Sequence, residues 1–362
     1  MAANPPRKIL LVGPYGLGSA VMALPAVQAL RSSGSYRIDI ACLLPSTERL
    51  CRDVPSVRGL FDEVYALHTG HGSGALARTI WSIRKRRYDC AVLLFPSAKP
   101  HYNLANFALG ARIRVGSRFL NQPWWHAYWL NHRVVPVDPH LHDCKQNLRL
   151  IGAGVDVELS EQPDEAVRRR SSSSNLIGIH AGCKADYHFK RWGVGNFVEA
   201  ARLLAAADPS LKFRFFFGPD ELDELESFKR IVEAGAYGQL APKVELSISD
   251  PLPQLFERIA ECTAMIANDS GMMHIAAAQQ VRTLGIFGPS DERRNAPYGP
   301  QCSVLRTNIP CRPCALTNDI RARKFHCIHD QRYCLTEIEP RHVVDWYLGK
   351  LVNPVLPSKD HP

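Results

Sequence analysis

The sequence predicts an α/β protein made of two doubly wound domains, each with a parallel sheet. Three observations carry this. The chain opens with strand, glycine-rich turn, helix and strand, a βαβ unit that implies a parallel sheet. A second alternation of strands and helices begins near residue 176, after a polar, serine-rich stretch. The chain has 362 residues, enough for two domains at roughly 100–200 residues each.

The elements follow in order. Lys8 to Gly13 is a short apolar run closed by glycine, the pattern of a buried strand. Pro14 to Gly18 is the turn, and Ala20 to Leu30 reads as a helix with Val21, Leu24, Val27 and Leu30 on one face. Strands are predicted at Arg37–Leu44, Val64–Leu67, Asp89–Phe95 and Arg112–Gly116, and a basic helix at Ala75–Arg87. Trp124, Trp125, Tyr128 and Trp129 form an aromatic cluster, expected to pack inside the domain, with an acceptor-binding surface as the alternative. Residues 161–175 read as a linker between a domain at 1–160 and one at 176–335, with a C-terminal helix and tail at 336–362. In the second half, strands are predicted at Leu176–His180, Lys212–Phe217, Ala264–Ala267 and Thr283–Phe287. Helices are predicted at Gly195–Ala207, within Pro251–Cys262, and at His274–Gln280.

Composition narrows the class. At 46% hydrophobic and 22% charged residues the chain is an ordinary globular protein. No apolar run reaches the ~18 residues of a membrane span. The apolar run Ile9–Val12 is too short for a secretion signal, so the expected location is the cytoplasm. The net charge is +9, and residues 1–160 hold all of the excess, with 19 Lys/Arg against 10 Asp/Glu. Such a field attracts anions, or is simply a solvated basic surface.

Two segments carry the chemistry. After the strand at residue 264, Asn268-Asp269-Ser270-Gly271 leads into a helix. Helix N-termini offer unpaired N–H groups and partial positive charge, which suit phosphate. Gly271 permits close backbone approach, and His274 lies one turn in, facing the same mouth. The plain alternative is an N-cap by Asp269 or Ser270. The other segment is Ile179-His180-Ala181-Gly182-Cys183-Lys184, followed by Phe189-Lys190-Arg191-Trp192. It is a strand end with three cations near it, and Lys190 is placed to meet a diphosphate. Its plain alternative is a solvated loop with Trp192 anchoring the next helix.

These segments together resemble glycosyltransferase family 9, the lipopolysaccharide heptosyltransferases. The pieces are KILLVGPYGLGSAVMALPAVQAL, IGIHAGC…KRW, NDSGMMHIAAA…TLGIFGPSDERRNAPYG and CRPC…C…C with IEPRHVV, in order along nearly the whole chain. The resemblance implies a GT-B fold: two Rossmann-like domains facing across a cleft, acceptor on the first and nucleotide-sugar donor on the second. It implies an inverting transfer, commonly of heptose from ADP-heptose, onto a growing lipopolysaccharide core. It places Gly182 and Cys183 near the donor phosphates and Lys190 on the phosphate-binding lysine. Asp269, Ser270 and Gly271 fall on the donor motif, and His274 on a donor-contacting histidine. It also expects an acid after Gly218 to hold the nucleoside, with Asp220, Glu221 and Asp223 as candidates. No organic cofactor and no nucleic acid are expected. The partners are the donor and an anionic glycolipid, with transient contact between the basic first domain and the inner face of the membrane.

The family's proposed general base is an aspartate in the first loop, and this chain has Ser19 there. Serine does not accept a proton at neutral pH unless another base activates it. The base then falls to His101, His142 or Asp143, or the chain is a non-catalytic nucleotide-sugar-binding protein of the same fold. Cys311, Cys314, Cys327 and Cys334 have the spacing of a tetrahedral thiolate site for structural zinc or iron, with free thiols as the alternative. In the family, such a cluster with iron is associated with protein-modifying members, a third reading of the chain.

Overall fold

The computed structural model describes residues 7–13, 16–160, 174–234, 240–314, 327–351 and 355–357. It divides into two units, Met1–Val167 and Arg168–Pro362. The predicted linker at 161–175 lies outside the described residues except for its last two positions.

The first unit runs β1 (Arg7–Gly13), α1 (Leu17–Ser33), β2 (Tyr36–Cys42), α2 (Pro45–Asp53), α3 (Pro55–Arg58), β3 (Glu63–Ala66) and α4 (Ser73–Lys85). It continues β4 (Cys90–Leu93), α5 (Pro100–Ala108), β5 (Ile113–Arg118), β6 (Arg133–Pro136) and α6 (Asp143–Val155). The six strands are parallel in the order β3-β2-β1-β4-β5-β6. Ile9 to Val12 and Cys90 to Leu93 are fully buried, because a central parallel strand is covered on both faces. The strand order reverses between β1 and β4. Right-handed crossovers therefore place α1 to α3 on one face and α4 and α5 on the other. α6 returns to pack on α1.

The second unit runs β7 (Leu176–His180), α7 (Val194–Ala207), β8 (Lys212–Phe217), α8 (Leu222–Glu233), β9 (Val244–Ile248), α9 (Leu252–Ala260), β10 (Ala264–Asn268) and α10 (Gly271–Ala278). It closes with β11 (Arg282–Phe287), α11 (Glu292–Asn295), β12 (Cys302–Thr307), α12 (Tyr333–Thr336), α13 (Pro340–Tyr347) and β13 (Val355–Leu356). The sheet order is β13-β12-β11-β10-β7-β8-β9, again parallel. The segment expected as a C-terminal helix and tail is built into this unit. α13 packs on α7, β13 pairs with β12, and Val343, Trp346 and Leu356 belong to the core. Among the described residues no helix is long and apolar enough to cross a membrane.

Two differences from the sequence reading matter for the site. α10 starts at Gly271, three residues earlier than the apolar periodicity indicates, because Ser270 takes the N-cap position. The aromatic cluster is not internal: Trp124, Trp125 and Trp129 are exposed. Their segment forms two single-turn 3-10 helices about left-handed Ala127, too short to bury a face. Polar groups hold it down instead. Asn131 donates to Asn103 at 2.8 Å and Asn106 donates to Asn131 at 2.9 Å, both in the interior, which leaves the indoles outside.

β8 is buried at Phe213, Phe215, Phe216 and Phe217, and the Phe215 ring lies 4.6 Å from that of Phe228. Phe215→Ala is expected to destabilise the second unit by about 3–5 kcal/mol in urea unfolding; a change below about 1 kcal/mol would mean that the ring is not core.

Candidate functional site

Parallel strands deliver their carboxyl ends to one edge of the sheet, and in open α/β folds that edge holds the ligand. In the second unit β7 and β10 are neighbours, so the loops after His180 and after Asn268 meet there. Three consecutive residues at the end of β10 and the start of its loop bind three different places. Asn268 is fully buried; its Oδ1 accepts from the Trp192 amide at 3.0 Å, and its Nδ2 donates to the Ala181 carbonyl at 2.5 Å. Asp269 accepts from the Lys190 ammonium at 2.7 Å. The Ser270 hydroxyl lies 2.9 Å from His180 Nδ1.

Each contact has an electrostatic consequence. Burial opposes the charge of Asp269, but the Lys190 ammonium overrides it and holds the carboxyl below the usual range. His180 bridges onward: its Nε2 donates to both Glu221 carboxylate oxygens, at 2.9 and 3.0 Å. Burial again opposes the Glu221 charge, yet His180 and the Gly218 amide, which donates at 2.7 Å, keep that carboxyl low. A β-carbon on Gly182 would sit 2.1 Å from the Glu221 carboxyl carbon, so only glycine lets this strand end close over the network. Arg191 ties the same loop to the next turn, donating to the Cys183 carbonyl at 3.1 Å and to Asp223 at 2.7 Å.

The capping alternative for this segment does not hold. Ser270 occupies the N-cap of α10 with extended backbone, but its side chain makes no cap hydrogen bond. With Asp269 and Ser270 turned to Lys190 and His180, the first N–H groups of α10 take no side-chain cap, a ready anion-binding end. Gly271 is the first helical residue, and His274 is buried one turn in. Cys183 is buried; its thiol donates to the Tyr187 carbonyl at 3.1 Å, and burial pushes it up to about 11, so it is a neutral packing group. Trp192 is the anchor that the plainer reading described, its indole N–H donating to the Ile338 carbonyl at 2.8 Å. Of the three acids after Gly218, Glu221 is buried on His180, Asp223 pairs with Arg191, and Asp220 is exposed. The sequence reading missed His180 and Asn268 as members. Their signal was present: each is a polar residue ending an otherwise apolar, buried strand.

In the first unit Ser19 lies in the first turn of α1, which carries no acid. His101 is exposed in the first turn of α5, with its pKa lowered by partial burial of the ring and by Lys99. His142 is the N-cap of α6 and its Nδ1 accepts from the Cys144 amide; Asp143 is buried. Near the C-terminus, Arg312 docks the Cys311–Cys314 turn on the β11 end, donating to the carbonyls of Thr307 at 3.0 Å and Ser290 at 3.2 Å. Burial and then the Cys327 thiol raise Cys311, and burial and then the Cys311 thiol raise Cys314. Cys334 is pushed up to about 12 by burial and by Cys314. Among the described residues no three His, Cys, Asp or Glu side chains are placed to hold a metal ion.

Two doubly wound parallel sheets in one chain, the second with an uncapped helix N-terminus beside a half-buried lysine, are the architecture of the GT-B glycosyltransferases. The chain belongs to glycosyltransferase family 9 (heptosyltransferase), whose pattern matches residues 76–324. It is 25% identical over 356 residues to lipopolysaccharide heptosyltransferase 2 of Escherichia coli K12, covering 93% of this chain and 97% of that protein. Among solved structures it matches a family 9 glycosyltransferase from Veillonella parvula at TM-score 0.69 and 17% identity, covering 97% and 99% of the two chains. It also matches the E. coli heptosyltransferase WaaC with ADP-2-deoxy-2-fluoro heptose at TM-score 0.67 and 15% identity, covering 95% and 99%.

Lys190→Met leaves the Asp269 carboxylate buried without its cation. It is expected to destabilise the protein at pH 7 by about 3–5 kcal/mol. The native pair contributes above the unfolded carboxyl pKa of about 3.9 and is lost as pH falls through the lower folded value. The gap between the two proteins in urea unfolding should therefore narrow below about pH 4; a gap that is independent of pH would show that the pair is not charged.

Proposed function

We propose that this chain transfers a heptose from ADP-heptose onto a lipopolysaccharide core sugar, with inversion at the anomeric carbon. The observation that carries the reading is the Lys190–Asp269 pair beside the uncapped start of α10, within a chain of the heptosyltransferase family. Lys190 has three N–H donors and Asp269 engages one, which leaves charge and donors for a diphosphate. The helix end adds partial positive charge where the leaving group becomes more negative. Gly182, Cys183, Ser270, Gly271 and His274 complete the donor pocket in this reading. Support for the sugar comes from the relatives, one of which is an ADP-heptose heptosyltransferase of lipopolysaccharide and another of which binds an ADP-heptose analogue.

The base is His101. β1 and β4 are adjacent parallel strands, so the loop leading to Ser19 and the one leading to His101 leave the same sheet edge. Its lowered pKa keeps the imidazole neutral and able to accept the acceptor hydroxyl proton at pH 7. His142 is engaged as a helix cap, and Asp143 is buried. The enzyme works in the cytoplasm at the inner face of the membrane, where its glycolipid acceptor resides. The second reading, a non-catalytic binder, is favoured by Ser19 alone.

Incubation with ADP-heptose and a truncated core acceptor is expected to release ADP. His101→Ala should lower kcat by about 10²–10⁴-fold with little change in donor KM, and Ser19→Asp in that background should restore part of the rate. No turnover with any of a panel of nucleotide sugars, despite measurable ADP binding, would favour the non-catalytic reading.

Cys311, Cys314, Cys327 and Cys334 are read as a structural zinc or iron site. What supports the reading is the donor type and spacing: a CxxC pair with two further cysteines offers four soft sulfur ligands, which suit either metal. The metal would pin the Cys311–Cys314 turn to the β11 end. Elemental analysis of the purified protein is expected to give one zinc or iron per chain, reduced in Cys311→Ser, with a lower unfolding temperature. A metal-free protein of unchanged stability would leave the cysteines as free thiols.

A further inference from the structure

Trp124, Trp125 and Trp129 lie on the surface of the first unit, 69%, 61% and 57% exposed, and Leu120 in the same segment is 81% exposed. The patch is ordered by specific bonds. The Trp129 indole donates to the Trp124 carbonyl at 2.9 Å, and the Trp124 and Trp125 rings meet edge to face at 6.5 Å. His126 sits 2.6 Å from the Ala98 carbonyl, and Asn103 donates to the His126 carbonyl at 2.9 Å, which fastens the loop to the start of α5. Along α5, Leu104 and Phe107 are three residues apart and both exposed, so they extend the apolar surface on one helical face.

The charge around it has one sign. From Lys99 to Arg133 there is no Asp or Glu, and there are five cations: Lys99, Arg112, Arg114, Arg118 and Arg133. Arg133 pairs with Asp156 from outside the segment. The other four form no ion pair among the described residues. The Arg118 guanidinium lies 5.2 Å over the Tyr128 ring and that of Arg114 lies 5.0 Å over Phe107, so cations sit directly on the aromatic faces. Tryptophan and arginine are enriched at protein interfaces too, but the absence of any Asp or Glu from Lys99 to Arg133 gives this face a single sign that favours an anionic partner. A bilayer surface asks for this mixture, with tryptophan rings at headgroup level and arginines against acidic phosphates.

We propose that this face, centred on Trp124, Trp125 and Leu120 and flanked by Lys99, Arg114 and Arg118, docks the enzyme on an anionic lipid bilayer. It deepens the reading of a glycolipid acceptor: the first unit inserts the indoles among headgroups and is held there by the arginines. Two weak signals act together, apolar insertion and charge, as a reversible peripheral contact requires.

Sedimentation with vesicles of equal phosphatidylglycerol and phosphatidylcholine, against phosphatidylcholine alone, tests this. The protein is expected to bind the anionic vesicles, with a blue-shifted tryptophan emission, and to be released by high salt. The variant Trp124→Ser/Trp125→Ser/Leu120→Ser should weaken binding about tenfold or more, and Arg118→Gln should weaken it in the same direction. Both variants should keep wild-type unfolding temperature and wild-type turnover on a water-soluble acceptor. Equal binding by wild type and variants, or equal binding to neutral vesicles, would overturn the inference. So would no vesicle binding with self-association that the Trp variant abolishes. Vesicle binding needs no turnover, so an inactive protein that still docks refutes only the transferase reading.

Discussion

Everything at the second unit's sheet edge hangs on Asn268. Its buried amide satisfies two backbone groups of the strand-end loops at once, the Trp192 N–H and the Ala181 carbonyl. Without it, two buried polar groups would lose their partners in a region with little water to replace them. The two residues that follow depend on that fixed backbone. Asp269 reaches Lys190 and Ser270 reaches His180 only because the loop carrying both partners is held against β10. A three-residue stretch thus sets the register of a whole functional surface.

The buried carboxylates in this region each have a hydrogen-bonding partner. Lys190 faces Asp269, Glu221 faces His180, and Arg191 faces Asp223 and Glu224. Buried acids such as Asp269 and Glu221 would neutralise without a partner. Pairing lets the region stay polar and rigid, as the proposed binding of a departing diphosphate requires. The first unit has the opposite character. Trp124, Trp125 and Trp129 lie on its surface, and the Arg118 guanidinium lies over the Tyr128 ring.

The alternation of apolar runs with glycine turns specified the strands at 8–13, 176–180, 212–217 and 264–268 closely, because a buried parallel strand has no other explanation. Shorter elements escaped. α5 and β9 carry mixed polar faces, and α11 and α12 are four residues each, too short for a helical period to register. Asp269, Ser270 and Lys190 were legible as chemistry-bearing residues from their types and from the family resemblance. His180 was quoted as the end of a strand, yet its position between Ser270 and Glu221 depends on residues 90 and 41 positions away.

By itself the sequence determined the two doubly wound domains and the family, and it singled out the segments around 180–192 and 268–274 that are proposed to bind an anion. It did so because strand burial, helix starts and charge type are local properties. Tertiary structure decided the rest. It turned Ser270 from helix cap to histidine partner and chose Glu221 over its neighbours for burial. It also moved three tryptophans from the expected core to the surface. Each outcome turns on which distant backbone or side chain reaches a polar group first, and no local pattern encodes that.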